Sequence, residues 1–285
     1  MTKPSSYEMC ITGCIKPFLR GRDVKRWRVE FEEQYLIKIA SSENVPHPWS
    51  GKPEAEAEEI FAKCYRAINE HFQNYRQAMI DRYDQGKYFW ELRACAYWQE
   101  FERPKIVYPD IYLHQSFAWD TNGYSAANTC YFIPTSGRWL IGILNASLTE
   151  WFYEQIANRI QNGYLRAFSD YMRQVPIPSA TANQKSVVDA CVGAALATGD
   201  PRFEQLINSL VFELFFPDDL HRANICLFDA CEKAGIGKLA SLEDKAVATA
   251  ASELAERIFA TSHPIYAMLF DLQALEVVRI IEGKE

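Results

Sequence analysis

VPIPSATANQ, residues 175–184, divides the chain into two stretches of different character. Two prolines and a small polar run mark it as a boundary. Residues 1–178 hold 21 Lys and Arg against 21 Asp and Glu, whereas residues 179–285 hold 9 against 16, so the formal net charge of −7 lies entirely in the second stretch. A uniformly acidic protein repels polyanions, but a neutral first stretch with a locally basic face does not.

The patterns on the two sides also differ. After the boundary, Pro201 with FEQLINSLVFELF, the DDLHRANICLFDAC stretch that follows Pro217, and the Ala-rich run 246–260 carry helical periodicity and few β-branched clusters. Before it the reading is mixed. QYLIKI (34–39) and KIVYPDIY (105–112) read as strands, and TNG at 121–123 is a turn signal that makes FAWD and NTCYFIP the two arms of a hairpin. PEAEAEEI (53–60) puts Pro and four Glu where a helix start favours them, and an apolar stripe from Ile60 to Tyr83 extends that helix to about residue 84. RWLIGILNASLTEWFYEQIAN, from Arg138, reads as one or two helices. The expected class is α+β: a mixed α/β domain over residues 1–178 followed by a mostly helical C-terminal region, 179–285.

A length of 285 residues with 48% apolar side chains supports a substantial core in one large or two ordinary domains. MTKPSSYEMC offers no secretory apolar run, and no segment approaches the roughly 18 apolar residues of a membrane span, so a cytoplasmic location and no membrane partner are expected. The eight cysteines (Cys10, Cys14, Cys64, Cys95, Cys130, Cys191, Cys226 and Cys231) share no repeated short spacing. Cys10 and Cys14 are the nearest to a pair, and ordinary thiols are expected rather than disulfides or a metal site.

Catalytic motifs are largely missing. No Gly-rich phosphate loop, Rossmann fingerprint or G-x-S-x-G elbow occurs, and the five histidines stand in unrelated contexts, with His114 reading as structural. Pro217-Asp218 followed by Glu243-Asp244-Lys245 matches the loose PD…E-x-K spacing of metal-dependent nucleases. That chemistry needs its carboxylates on adjacent strands, whereas both halves here lie in helical patterns, so the match reads as chance. No metal is expected.

IKPFLRGRDVKRWRV, residues 15–29, carries six cations and one acid. It opens an ordered series: YLIKI, a long helix, KYFWELR, ERPKIVYPDI, the F-A-W-D and N-G-Y pair, NTCYFIP, WLIGILNASL and NGYLRAFSDYMRQVPIP. Each string is weak alone, but the order is far more specific. The series, over about residues 11–178, resembles the TaqI-like C-terminal specificity domain. That domain is the target-recognition part of N6-adenine DNA methyltransferases, including type IIG restriction–modification enzymes and phage-resistance methyltransferases.

The resemblance implies a non-catalytic DNA-recognition module. The F-x-G-x-G and N-P-P-[YF] strings of the catalytic half do not occur in the sequence. S-adenosylmethionine is therefore expected on a separate catalytic domain or subunit and no cofactor in this chain; the expected partners are double-stranded DNA and that N6-adenine methyltransferase part. Lys16, Arg20, Arg22, Lys25, Arg26 and Arg28 suit phosphate contacts, although the G-R-D segment could instead be a fold signature with Arg22 paired to a carboxylate and Trp27 buried. Candidate base-edge readers are Asn122, Tyr124 and Asn128 in one loop, and Arg159, Asn162, Tyr164 and Arg166 in a second cluster. A protein-interaction subunit docking on a methyltransferase through its acidic helical tail is the alternative role; a metal-dependent nuclease is a distant third.

Overall fold

The computed structural model describes residues 13–135 and 137–284. Their contacts form two compact units: residues 13–19, 31–103 and 121–125 in the first, and residues 20–30, 104–120 and 126–284 in the second.

In the first unit β1 (Ile15–Leu19) pairs antiparallel with β2 (Tyr35–Ile37), Ile15 facing Ile37. The stripe expected to make one long helix instead makes three: α1 (Glu54–Cys64), α2 (Arg66–Gln73) and α3 (Arg76–Ile80). The helix breaks at Tyr65 (φ −132°, ψ 58°) and again at Tyr75 (φ −121°, ψ 9°). An unbroken helix over 53–84 would run about 48 Å, far past the core it must cover. Broken, it sets Phe61, Cys64, Ile68 and Phe72 into an aromatic cluster, whereas Tyr75 and Tyr83, expected in the same stripe, are exposed. Phe61 stacks on Trp90 with centroids 5.0 Å apart, Tyr88 stacks on Trp90 at 4.9 Å, and Trp49 meets Phe61 edge-on at 5.4 Å. The one carboxylate in this core, Glu91, is satisfied by the Trp49 indole N–H at 2.8 Å and by the backbone N–H groups of Ser42 and Lys87, both at 3.0 Å.

The second unit is built on β3 (Lys105–Pro109), whose five residues are all buried. After β4 (Ile111–Tyr112) come β5 (Ala118–Asp120) and, past β6 (Ser125–Ala126), which belongs to the sheet of β1 and β2, β7 (Cys130–Pro134). The hairpin expected between FAWD and NTCYFIP does not form. β5 and β7 lie on opposite edges of β3, both antiparallel to it, because a strand buried throughout must have both its hydrogen-bonding edges covered. Lys105 faces Asp120 across the β3–β5 pair, and their fully buried side chains form an ion pair.

Helices α4 (Trp139–Leu144) and α5 (Ser147–Ile156) follow, then β8 (Leu165–Arg166), which pairs with β4, and α6 (Ser169–Met172). Beyond VPIP, α7 (Ala182–Thr198) starts at a capping box of Thr181 and Gln184, and α8 (Pro201–Phe215) starts at an Asp200 cap with Pro201 in its first turn. The remaining helices are α9 (Pro217–Arg222), α10 (Leu227–Ala234), α11 (Asp244–Ile258), α12 (Pro264–Leu272) and α13 (Glu276–Ile281). The class is α+β with a helical C-terminal region, but the break at VPIP falls inside the second unit. One hydrophobic core runs from Ile106 through Ile143 and Val192 to Ile281. Gly142 makes the junction close: a β-carbon there would stand 2.9 Å from the Val188 side chain and 3.1 Å from that of Val192. The chain is irregular through VPIP, and the apolar faces of α4 and α7 meet in one core on either side of it in sequence.

Replacing Lys105 with Met leaves the buried Asp120 carboxylate without its ammonium partner. The expected loss is about 3–5 kcal/mol in a chemical denaturation experiment, largely recovered when Asp120→Leu is added. A Lys105→Met protein as stable as the unaltered chain would remove this ion pair as a support of the sheet.

Candidate nucleic-acid interface

The basic stretch begins with a tight turn, residues 20–23. Asp23, with a fully buried side chain, accepts hydrogen bonds from the Arg20 backbone N–H at 2.8 Å and from its guanidinium at 3.1 and 3.3 Å. Gly21 donates its N–H to the Thr129 hydroxyl at 3.1 Å and lies so close to the Thr129 carbonyl that no β-carbon fits between them.

From there the chain makes a second, sharper reversal. Val24 and Val29 form an antiparallel bridge, and Lys25 and Arg28 exchange backbone hydrogen bonds at 2.9 and 3.3 Å, which leaves Arg26 and Trp27 as the two residues of the turn. Trp27 has φ +71°, in a region that favours Gly or Asn; such a conformation costs on the order of 1–3 kcal/mol and persists only where surroundings hold it. Here its N–H donates to the Phe117 carbonyl at 2.9 Å and its ring packs against the main core. The Glu30 N–H then returns to the Asp23 carbonyl at 2.7 Å, closing the segment on itself.

This backbone distributes the cations unevenly. Arg20 is engaged with Asp23 as described, and Arg26 donates through Nε to Glu204 of α8 at 2.8 Å. Arg28 pairs with Glu30 at 2.6 Å. Lys16 belongs to the first unit, where it pairs with Glu102 at 2.9 Å and holds that carboxyl below its usual range. Arg22 and Lys25 line an open groove of about 510 Å³ together with Tyr112, His114 and Tyr164. The Arg22 side chain is 64% exposed, with Nε 3.9 Å from Asp23, and the Lys25 ammonium donates to the Arg22 carbonyl at 2.8 Å.

The two groups of candidate base readers are placed differently. Asn122 and Tyr124 lie in the first unit, with the Tyr124 ring 5.0 Å from that of Phe31. Asn128, in the second unit, is exposed beside Thr129, which lines the groove. In the second cluster, Asn162 and Gly163 both take left-handed conformations (φ 63° and 79°), making an exposed turn that leads to Tyr164. Arg159 braces that turn by donating to the Gly163 carbonyl at 2.7 Å and to Glu154 at 2.5 Å. Arg166 pairs with Asp110 at 3.2 Å and lies over the Phe168 ring at 4.3 Å.

Two residues in this neighbourhood escaped the sequence reading. His114 reads as structural from its strand-like context, yet it is exposed on the groove with Nδ1 2.9 Å from Glu150. Glu204 sits in a long amphipathic helix with no local cue, because its partner Arg26 is 178 residues away.

The nuclease-like spacing maps to helices: Asp218 in the first turn of α9, Glu243 at the cap of α11 and Lys245 inside α11. Among the described residues no group of three or more His, Cys, Asp or Glu could hold a metal ion. The seven described cysteines are free thiols; Cys10 lies outside the described residues. Burial, aided by the Asp23 carboxylate, pushes the Cys130 thiol from 9.0 up to about 12.

Residues 16–177, more than half of the chain, match the family described as the TaqI-like C-terminal specificity domain. No curated protein matches the chain.

Because only thiolate alkylates, a thiol titrating near 12 is roughly one part in ten thousand reactive at pH 8. Iodoacetamide at that pH, followed by peptide mass mapping, is expected to leave Cys130 unmodified in the folded protein and to label it after denaturation. Equal labelling in both states would contradict the burial of Cys130 at the start of β7.

Proposed function

The chain belongs to the TaqI-like C-terminal specificity domain family, and from that premise we propose that it is a non-catalytic DNA target-recognition module that binds duplex DNA and positions a separate N6-adenine methyltransferase domain or subunit. In this reading S-adenosylmethionine binds to that catalytic part, and the pair serves restriction–modification or phage defence in the cytoplasm. No helix among the described residues is long and apolar enough to cross a membrane.

The observation that carries the reading is the groove. A rigid turn brings Arg22 and Lys25 to its wall beside the half-exposed Tyr164. Cations on a braced backbone suit phosphate contacts, which set affinity and register on the duplex but carry no sequence information. Sequence reading then falls to side chains on exposed loops nearby, for which Asn128, Asn162 and Tyr164 are our candidates. Arg20, Arg26, Arg159 and Arg166 act in this scheme as braces of the surface. Lys16, Asn122 and Tyr124 are assigned no part in the groove.

The test is duplex binding by fluorescence anisotropy across a salt series. The unaltered chain is expected to lose affinity linearly on a log–log plot, and Arg22→Glu or Lys25→Glu to weaken binding of every duplex alike while reducing the slope by about 1 each. Binding that ignores salt, or variants that bind as the unaltered chain does, would sink the assignment of this groove.

A further inference from the structure

We propose that Glu204 is a positioning residue for DNA recognition, although it lies on α8, beyond the matched residues 16–177. The inference rests on the DNA-recognition reading above. Its basis is the turn at Arg26 and Trp27. Three donors of one guanidinium are directed at fixed acceptors: Nε and Nη2 at Glu204 Oε1, the former at 2.8 Å, and Nη1 at the Gln115 carbonyl at 3.5 Å. The two side chains are only 27% and 31% exposed, so the pair is partly shielded from solvent.

Arg26 and Trp27 are the whole connection between Lys25 and Arg28, so a hold on Arg26 restrains the turn that presents Lys25. Trp27 takes a conformation that a large side chain rarely adopts, and its N–H and ring are both anchored. Without a hold on Arg26, one side of that turn loses its tether while the other stays pinned. Lys25, whose ammonium caps the Arg22 carbonyl, then shifts, and Arg22 with it. Glu204 therefore acts on DNA through Arg26 and touches no phosphate itself.

Electrostatics alone predicts the opposite of positioning, which makes the idea easy to test. Deleting an acid beside a DNA-binding groove removes repulsion and should tighten binding. Positioning predicts that Glu204→Ala in the full chain weakens duplex binding, by roughly fivefold, the scale of a partly exposed ion pair. Arg26→Met should weaken it similarly without changing the salt slope, and Glu204→Gln, which keeps an acceptor for the guanidinium, should weaken it less than Glu204→Ala does.

Each outcome decides something. If the unaltered chain binds no duplex at low salt, the DNA-recognition reading falls and the proposal with it. If the chain binds and Glu204→Ala binds equally or more tightly, the proposal alone is overturned. If Glu204→Ala weakens binding but Arg26→Met lowers the salt slope by about 1, Arg26 is a phosphate contact, which also overturns the proposal. Should Glu204→Ala not fold, Arg26→Met decides: a slope reduced by about 1 marks Arg26 as a phosphate contact, and an unchanged slope with weaker binding supports the clamp.

Discussion

Asp23 has no exposed side-chain surface, yet it lies in the most basic stretch of the chain, and the shape of the turn that carries Arg22 and Lys25 depends on that burial. Its carboxylate gathers the Arg20 backbone N–H and guanidinium, so the turn closes around a satisfied charge instead of an orphaned one. Closure brings Gly21 against Thr129 on the approach to β7, and only a residue without a β-carbon can come that close. Glu30 then returns to the Asp23 carbonyl. The eleven residues from Arg20 to Glu30 are a braced loop, and Arg22 and Lys25 on it line the groove. A cation on a flexible loop would lose side-chain and backbone entropy on binding phosphate; here the backbone share is already lost on folding.

The same accounting of partners resolves the charge of this stretch. Six cations suggest a broad basic face, but five of them meet acids: Lys16 with Glu102, Arg20 and Arg22 with Asp23, Arg26 with Glu204 and Arg28 with Glu30. These pairs differ in weight. Arg28 is 70% exposed and its pair adds little to stability, whereas Arg20 faces a buried carboxylate and its loss would strand a charge. The same residue type in one short stretch therefore serves as brace, surface pair and groove wall, according to what the fold sets beside it.

Much of the secondary structure was legible because its signals are local. Pro201 after Asp200, the Thr181–Gln184 capping box and the β-branched run of β3 each state their structure within a few residues. Periodicity also found the apolar stripe of residues 60–83, of which Phe61, Cys64, Ile68 and Phe72 are buried and Tyr75 and Tyr83 exposed, but a stripe does not report whether the backbone stays straight. The breaks at Tyr65 and Tyr75 answer to the shape of an aromatic cluster whose other members, Trp49 and Trp90, are distant in sequence. A turn signal at TNG likewise marks a reversal without naming the strand on the far side, and β3 had already taken both edges. At the groove, residue types were readable and partners were not: nothing near Arg26 points to α8, and nothing near His114 marks it as exposed.

The family match ends at residue 177, close to where sequence composition changes, but physical integrity does not end there. α4, inside the match, presents Gly142 to Val188 and Val192 of α7 and to Ile207 of α8, all outside it. The strands that carry the groove and the helices beyond VPIP share one core. Removing the helices would expose the apolar face of α4 and delete the Glu204 hold on Arg26 together. The acidic helical region is thus part of what shapes the basic surface, and the −7 charge of the second stretch and the cations of the first belong to one arrangement, with Arg26 and Glu204 as a point where they meet.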